Sequence, residues 1–336
     1  MTPFIVPAAS AAIHSVGAVL WGGPSLFEVM ITMLTPNSLY PGACVALLCA
    51  SSAVPADRLA PAVEAVKALG LEPVVYPSCL FENRHGYFAA DDGQRAKDLS
   101  DAFSDPAIRG ILCIRGGYGA GRLLPLLNWK DMARHPKLFC GYSDVTALHI
   151  ALNQCCRLLT YHTPMPSTEY YQPVDEFTTT YLRRALFGAL TGPLPMGNSV
   201  RTLAGGRASG VLCGGNLSLI CDSLGTPWEL DTRGKVLFLE DIGEKTYRVD
   251  GMLTQLRNAG KLDDCAAVLL GGWADCVPED EEKTLTLDEI FRELILPAGK
   301  PVLADLPAGH VLPTMSLPLG ATVTVDADAQ TLEVTT

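Results

Sequence analysis

From residue 43 onward, short apolar runs alternate with stretches whose apolar positions recur at helical spacing. ACVALLCAS (43–51) is apolar throughout, the pattern of a strand buried on both faces of a parallel sheet. DRLAPAVEAVKALG (57–70) places Leu59, Val63 and Val66 on one helical face, and Gly70 stands where a C-terminal cap belongs. EPVVY (72–76) reads as a second strand, GQRAKDLSDAF (93–103) as a helix and GILCI (110–114) as a third strand. GRLLPLL (121–127) predicts a short helix, KLFCG (137–141) a fourth strand, and VTALHIALNQC (145–155) a further helix. Such alternation predicts a parallel sheet wrapped by helices.

The rhythm breaks at TGPLPMGNSVRTLAGGRASG (191–210), which is rich in Gly, Pro and polar residues. Residues 189–206 are therefore read as a linker. Beyond it come a strand at KVLFLED (235–241), a helix at VDGMLTQLRNAG (249–260), an apolar run at AAVLLGG (266–272) and two alternating strands in ATVTVDADAQTLEVTT (321–336). The fold class expected is α/β. An N-terminal parallel-sheet domain with flanking helices spans 39–188, and a smaller β-rich α+β domain spans 207–336. Residues 1–38 are expected to form an extension outside the domains, poorly ordered or an artefact of start assignment, with the working chain beginning near Met33. Residues 1–56 hold one charged side chain, Glu28, yet no Lys or Arg precedes the apolar part, and Pro3, Pro7, Gly17, Gly22, Gly23 and Pro24 interrupt it. The run from Cys44 to Val54 reads as core, not as a membrane anchor.

Composition narrows the function. With 336 residues, 48% apolar and 18% charged, the chain has ample material for a core and is not disordered. Its net charge of −11 disfavours nucleic acid and anionic membranes as partners. An anionic substrate would need a local cationic pocket. The 11 cysteines are odd in number and show no C-x-x-C, so zinc spacing is absent and a disulfide framework is not expected. They read as buried hydrophobes of a reducing, cytoplasmic compartment. No metal and no cofactor is implied.

The sharpest local signal is CGYSDVT (140–146). A strand runs into Gly141, then Ser143, then a helix, which would lift the hydroxyl above the sheet beside free backbone N–H groups. Ser143 acting only as a helix cap remains an alternative. IRGGYGAGR (114–122) follows the third strand, but Arg122 stands where a dinucleotide loop needs its third glycine. A tight turn that sets N–H groups beside Ser143 fits better. Among the six histidines, His149 lies along the helix after Ser143, whereas His310 sits in the loop LPAGHVLP. Glu240, at the end of VLFL, could orient that histidine or simply be a solvated strand-end acid. Arg115 opens the glycine turn and is the candidate for holding a substrate carboxylate; a salt bridge to an acid such as Asp144 is the alternative.

Together, IRGGYGAGRLL (114–124), GYSDVTA (141–147), GGNLSLI (214–220) with SLGTPW (223–228), LEDIGEKTYRVD (239–250) with MLTQL (252–256), and GH followed by LPLG (309–320) resemble the LD-carboxypeptidase family of serine peptidases. That family also contains the microcin self-immunity hydrolases. The resemblance implies Ser143 as nucleophile, His310 as general base and Glu240 as the acid orienting it. It implies an oxyanion hole from the N–H of Asp144 and one from the glycine turn, Gly117, with no metal. It further implies a homodimer, and a muropeptide tetrapeptide as substrate losing its terminal D-Ala. RGGYGAGRLL and GTPW point to the murein-recycling branch, and the 165–180 insert carries Tyr170 and Tyr171 but no tryptophan to stack a nucleobase, as the immunity branch would need. The chain departs from the family at Ala50-Ser51, Thr163-Pro164-Met165 and Gly251, none in the triad.

Overall fold

In the computed structural model, which describes residues 33–81, 84–188, 190–278, 280 and 283–335, the chain runs β1 (Cys44–Leu48), α1 (Leu59–Ala68), β2 (Glu72–Val75), α2 (Asp92–Ser104), β3 (Gly110–Cys113), α3 (Trp129–Met132), β4 (Leu138–Gly141), α4 (Thr146–Cys155) and β5 (Thr160–His162). It continues through α5 (Glu176–Phe187), β6 (Gly192–Pro193), β7 (Arg201–Ala204), β8 (Arg207–Asn216), α6 (Leu217–Ser223), β9 (Val236–Ile242), α7 (Thr246–Asn258), α8 (Lys261–Asp264), β10 (Ala267–Ala274) and α9 (Leu287–Leu294). The last strands are β11 (Val302–Ala304), β12 (Leu317–Leu319), β13 (Thr322–Asp326) and β14 (Thr331–Val334).

The apolar runs do what their burial requires. β1, β3, β4 and β5 pair in parallel, with β2 beyond β1, giving the order β12-β5-β4-β3-β1-β2. β3 and β4 are buried along their whole length, as strands covered by helices on both faces are. The second sheet has the order β6-β14-β13-β8-β9-β10-β11-β7. Its centre, β8-β9-β10-β11, is parallel, and its ends are antiparallel. One apolar core is shared by both sheets: Leu47 and Leu112 of the first pack in it with Phe238 and Leu269 of the second. Among the described residues no helix is long and apolar enough to cross a membrane.

Three expectations change. The stretch 189–206 is not a plain linker, because β6 and β7 lie within it as the two edge strands of the second sheet. Gly and Pro are tolerated at an edge, where one side of the ladder is unpaired, and that composition hid the strands. The extension 1–38 is also too long. Leu34 bridges Leu158, its N–H donates to the Arg157 carbonyl, and Pro36 is buried; residues 1–32 lie outside the described residues. Finally, between β11 and β13 of the second sheet the chain returns to the first: β12 pairs antiparallel with β5.

Ten residues of β8 escaped the strand pattern because of Gly214 and Gly215. A Cβ on Gly214 (φ +116°) would stand 2.0 Å from the Phe238 carbonyl oxygen, and one on Gly215 would stand 2.6 Å from Thr146 Oγ1. The glycines let β8 run hard against β9 and against the start of α4. Gly214→Ala is expected to destabilise the protein by roughly 2–5 kcal/mol through strain and overlap, read as a fall in chemical-denaturation midpoint; a midpoint equal to wild type would show that β8 can move away.

Candidate active site

The site forms where β4 ends. Tyr142 is extended, and Ser143 then takes φ 64°, in the left-handed region that a non-glycine residue rarely adopts. A short 3₁₀ turn (Ser143–Val145) leads into α4. This strained strand-to-helix corner lifts the serine hydroxyl clear of the sheet. Val145 takes the place of a second glycine, and the room comes instead from Gly141 before the corner and Gly116 opposite. A Cβ on Gly116 would lie 2.9 Å from Ser143 Cβ.

His310 arrives from the loop between β11 and β12. Its Nε2 lies 3.0 Å from Ser143 Oγ, and its Nδ1 lies 2.7 Å from Glu240 Oε2. Glu240 projects from β9 and is fully buried. Its Oε2 also accepts from the His310 backbone N–H at 3.3 Å. Gly309 makes the approach feasible, since a Cβ there would meet Oε2 at 2.6 Å. The structure thus brings Ser143, His310 and Glu240 together from the two sheets. Ser143 makes its contact with His310 rather than capping a helix by its side chain.

Charge in the cluster follows from its neighbours. Burial opposes ionisation of Glu240, but the flanking imidazoles of His162 and His310 outweigh it and hold the carboxyl down at about 2. His162 Nε2 stands 3.9 Å from Oε1, beyond hydrogen-bond length, so in this geometry it acts through its field. For His310, burial works against the charged form; the hydrogen bond and charge of Glu240, with Glu169 and Asp241 behind, win and raise its pKa. The Tyr142 ring lies 4.6 Å from the His310 ring, and the Tyr142 hydroxyl donates to Glu169 at 2.5 Å. Burial pushes the Glu169 carboxyl up, against the pull of Tyr142 and of the Met165 N–H.

The glycine turn is braced from behind. Ser52 N–H donates to the Gly116 carbonyl, and Ser52 Oγ accepts from the Tyr118 N–H. A Cβ on Gly117 (φ +109°) would meet Ser52 Oγ at 2.2 Å, so Gly116 is the glycine that abuts Ser143, while Gly117 packs against Ser52. Arg95, fully buried, donates to the Ala50 carbonyl and to Asp92, which Arg122 also grips. Asp144 is buried and accepts from the Ala120 N–H at 2.7 Å. Burial pushes the Asp144 carboxyl up. Arg115 does not pair with Asp144: its Nη1 donates to the Ala53 carbonyl. His149 is spent on structure, bonded to Thr160 Oγ1 and the Gly141 carbonyl, and burial lowers it to about 3. A recess of about 250 Å³, lined by Tyr118, Asp144, Ile150, Leu219 and Trp228, adjoins the corner but contains neither Ser143 nor His310.

Sequence reasoning missed Ser52, Tyr142, His162 and Glu169. Tyr142 was visible inside GYSD, and His162 was one of only six histidines. Nothing in the sequence marks Ser52 or Glu169. Among the described residues, no group of three His, Cys, Asp or Glu side chains is placed to hold a metal ion.

Comparison with known proteins follows the same division of the chain. The profile described as the LD-carboxypeptidase N-terminal domain matches residues 45–163, and that of the LD-carboxypeptidase C-terminal domain matches residues 209–325. A probable murein peptide carboxypeptidase of Bacillus subtilis is 37% identical over 300 residues, covering 88% of this chain and 92% of that protein. The murein tetrapeptide carboxypeptidase of Pseudomonas aeruginosa is 31% identical over 295 residues, covering 84% and 93%. The solved structure of the microcin C7 self-immunity protein in its wild-type apo state shares the fold, with a TM-score of 0.82 over 90% of this chain and 98% of that one at 22% identity.

Proposed function

The chain belongs to the LD-carboxypeptidase family and is a serine-type carboxypeptidase; from that premise we propose that it removes the C-terminal D-Ala from muropeptide tetrapeptides in cell-wall recycling. The observation that carries the reading is the hydrogen-bonded line from Ser143 through His310 to Glu240, in a chain similar over most of its length to a murein tetrapeptide carboxypeptidase.

His310 takes the Ser143 proton as Oγ attacks the carbonyl carbon of the residue before D-Ala. Glu240 holds the tautomer with Nδ1–H and stabilises the imidazolium. Negative charge on the tetrahedral oxygen is met by the Asp144 N–H and by one from the Gly116–Gly117 turn, with Gly117 the assigned donor. His310 then protonates the leaving amine, D-Ala departs, and an acyl-enzyme on Ser143 remains. Water, deprotonated by His310, hydrolyses it. The positive φ at Ser143 supports this order, since strain at the corner fixes Oγ before substrate arrives.

An exopeptidase must recognise a terminal carboxylate, and a chain of net charge −11 offers no general attraction for one. Arg115 is the assigned partner, with part of its guanidinium fixed on Ala53 and half-buried at the glycine turn. Arg115→Ala is expected to lower kcat/KM by about 2 kcal/mol.

The test compares a tetrapeptide stem, its C-terminal amide, a pentapeptide and an all-L tetrapeptide, read by mass for loss of one alanine. Only the free D-terminated tetrapeptide is expected to turn over. Equal turnover of the amide or the all-L peptide would refute the specificity. Cleavage of an aminoacyl-sulfamoyl adenosine alone would move the chain to the immunity branch.

A further inference from the structure

Two buried polar atoms face each other across the seam between the sheets, each without a hydrogen-bond partner among the described residues: Glu240 Oε1 and His162 Nε2. They are 3.9 Å apart, on side chains 0% and 2% exposed. A carboxylate oxygen shut from solvent with no donor is costly, so this pairing needs an explanation. The gap is too short for a bridging water, which with two bonds of about 2.8 Å at a near-tetrahedral angle sets the atoms it joins about 4.5 Å apart. It is also only about 1 Å longer than a direct hydrogen bond.

The histidine is aimed, not loose. β5 pairs with β4 so that His162 lies opposite Gly141, two residues before the nucleophile. Phe238 of β9 meets the imidazole edge-on at 5.2 Å and 85°, and the Tyr142 ring sits 5.4 Å away. These contacts fix the ring so that Nε2 points at the oxygen of Glu240 that His310 does not use. Glu240 Oε2 already takes two bonds from His310.

We propose that His162 is a positioning residue: it donates from Nε2 to Glu240 Oε1 and keeps Oε2 on His310 Nδ1 while His310 exchanges its proton with Ser143. The role rests on the reading of Ser143, His310 and Glu240 as one catalytic unit. Held by one oxygen, the carboxylate could swing about its own axis as charge builds on the imidazole. Held by both, it cannot. Catalytic hydrogen bonds commonly shorten when substrate binds, and closure by about 1 Å completes this one.

The experiment uses His162→Phe, which preserves a flat ring against Phe238 and Tyr142 but removes the donor, and His162→Gln, whose amide N–H stands near the Nε2 position. In H162F, kcat for the tetrapeptide is expected to fall roughly 10- to 100-fold, as when a partner that orients a functional group is lost, with KM unchanged. H162Q is expected to recover most of the rate. In a Glu240→Gln background, H162F is expected to cost nothing more, because its effect passes through that carboxylate. If H162F does not fold, His162→Asn replaces it, since its amide sits where Nδ1 was and cannot reach Oε1.

A second reaction frees the test from the choice of peptide. In phosphonylation by a fluorophosphonate, Ser143 Oγ bonds to phosphorus, fluoride leaves and the hydroxyl proton passes to His310; its rate is expected to follow the same pattern. Wild-type rates in H162F, or a loss that adds fully to that of Glu240→Gln, would overturn the role. Wild-type protein inert to the tetrapeptide yet phosphonylated at Ser143 would remove the substrate reading, and the second reaction alone would then decide the role of His162. Wild-type protein inert to both would overturn the catalytic unit and this role with it.

Discussion

Ser143→Ala is expected to reduce turnover of the tetrapeptide by roughly 10³- to 10⁶-fold, with the fold intact. The nucleophilic oxygen is gone, and His310 has nothing to deprotonate but water. The double variant Ser143→Ala/His310→Ala is expected to lose no more than either single one, because the two residues act in one step. Purified variants assayed for alanine release decide this. Full activity in Ser143→Ala would end the assignment, and strictly additive losses would mean that the two residues do not cooperate. A thermal melt adds an independent check on the corner. Alanine keeps the left-handed strain at φ 64°, whereas glycine relieves it. Ser143→Gly should therefore be more stable than Ser143→Ala by about 1 kcal/mol; the reverse order would mean that the corner holds no strain.

Glu240→Gln should cost roughly 10²- to 10⁴-fold in kcat. The amide matches the carboxylate in shape. Its oxygen stays at the Oε2 position, where two donors from His310 converge, so the tautomer is retained and the charge is lost. The pH profile isolates that charge. Glu240 raises the His310 pKa, so in wild type the base is lost as pH falls through a value above the ordinary imidazole range. The acid limb of kcat/KM is expected above that range in wild type and at lower pH in the variant. A limb that does not move would show that Glu240 supplies geometry only. The linked stability has the opposite window. Glu240 is held far below its ordinary 4.5, so its contribution is present above that value and is lost as pH falls toward about 2.

β1, β3 and β4 were legible because burial on both faces forces an almost unbroken apolar run, a pattern that needs no knowledge of neighbours. β2, a half-exposed edge strand, was legible by its β-branched Val74-Val75 after the helix-ending Gly70. β5, β6, β7, β8, β11 and β12 were not read from pattern, for separate reasons. β12 is the three-residue Leu-Pro-Leu at a sheet edge, too short to show a period. β8 trades side chains for close backbone contact at Gly214 and Gly215, and a glycine strand has no hydrophobic alternation to read. The candidate site was legible where chemistry follows chain position: Ser143 at a strand-to-helix corner, Glu240 at a strand end, His310 in a Gly- and Pro-rich loop. Ranking these above caps and surface residues took the family resemblance. His162 was hidden because a histidine inside a short strand looks like any packed ring. Glu169 was hidden because its place depends on a contact with Tyr142 across 27 positions.

The return of β12 to the first sheet bears on how the protein is made. Until residues 317–319 leave the ribosome, β5 has a bare outer edge, and the chain preceding them already holds all three residues of the proposed catalytic unit. The nascent chain must therefore keep that edge from pairing with a neighbour while both sheets wait for their last strands. A truncation ahead of Leu317 would then yield a sticky fragment, not a smaller enzyme. Supplied in trans, a peptide carrying the sequence of β12 should compete for the same edge.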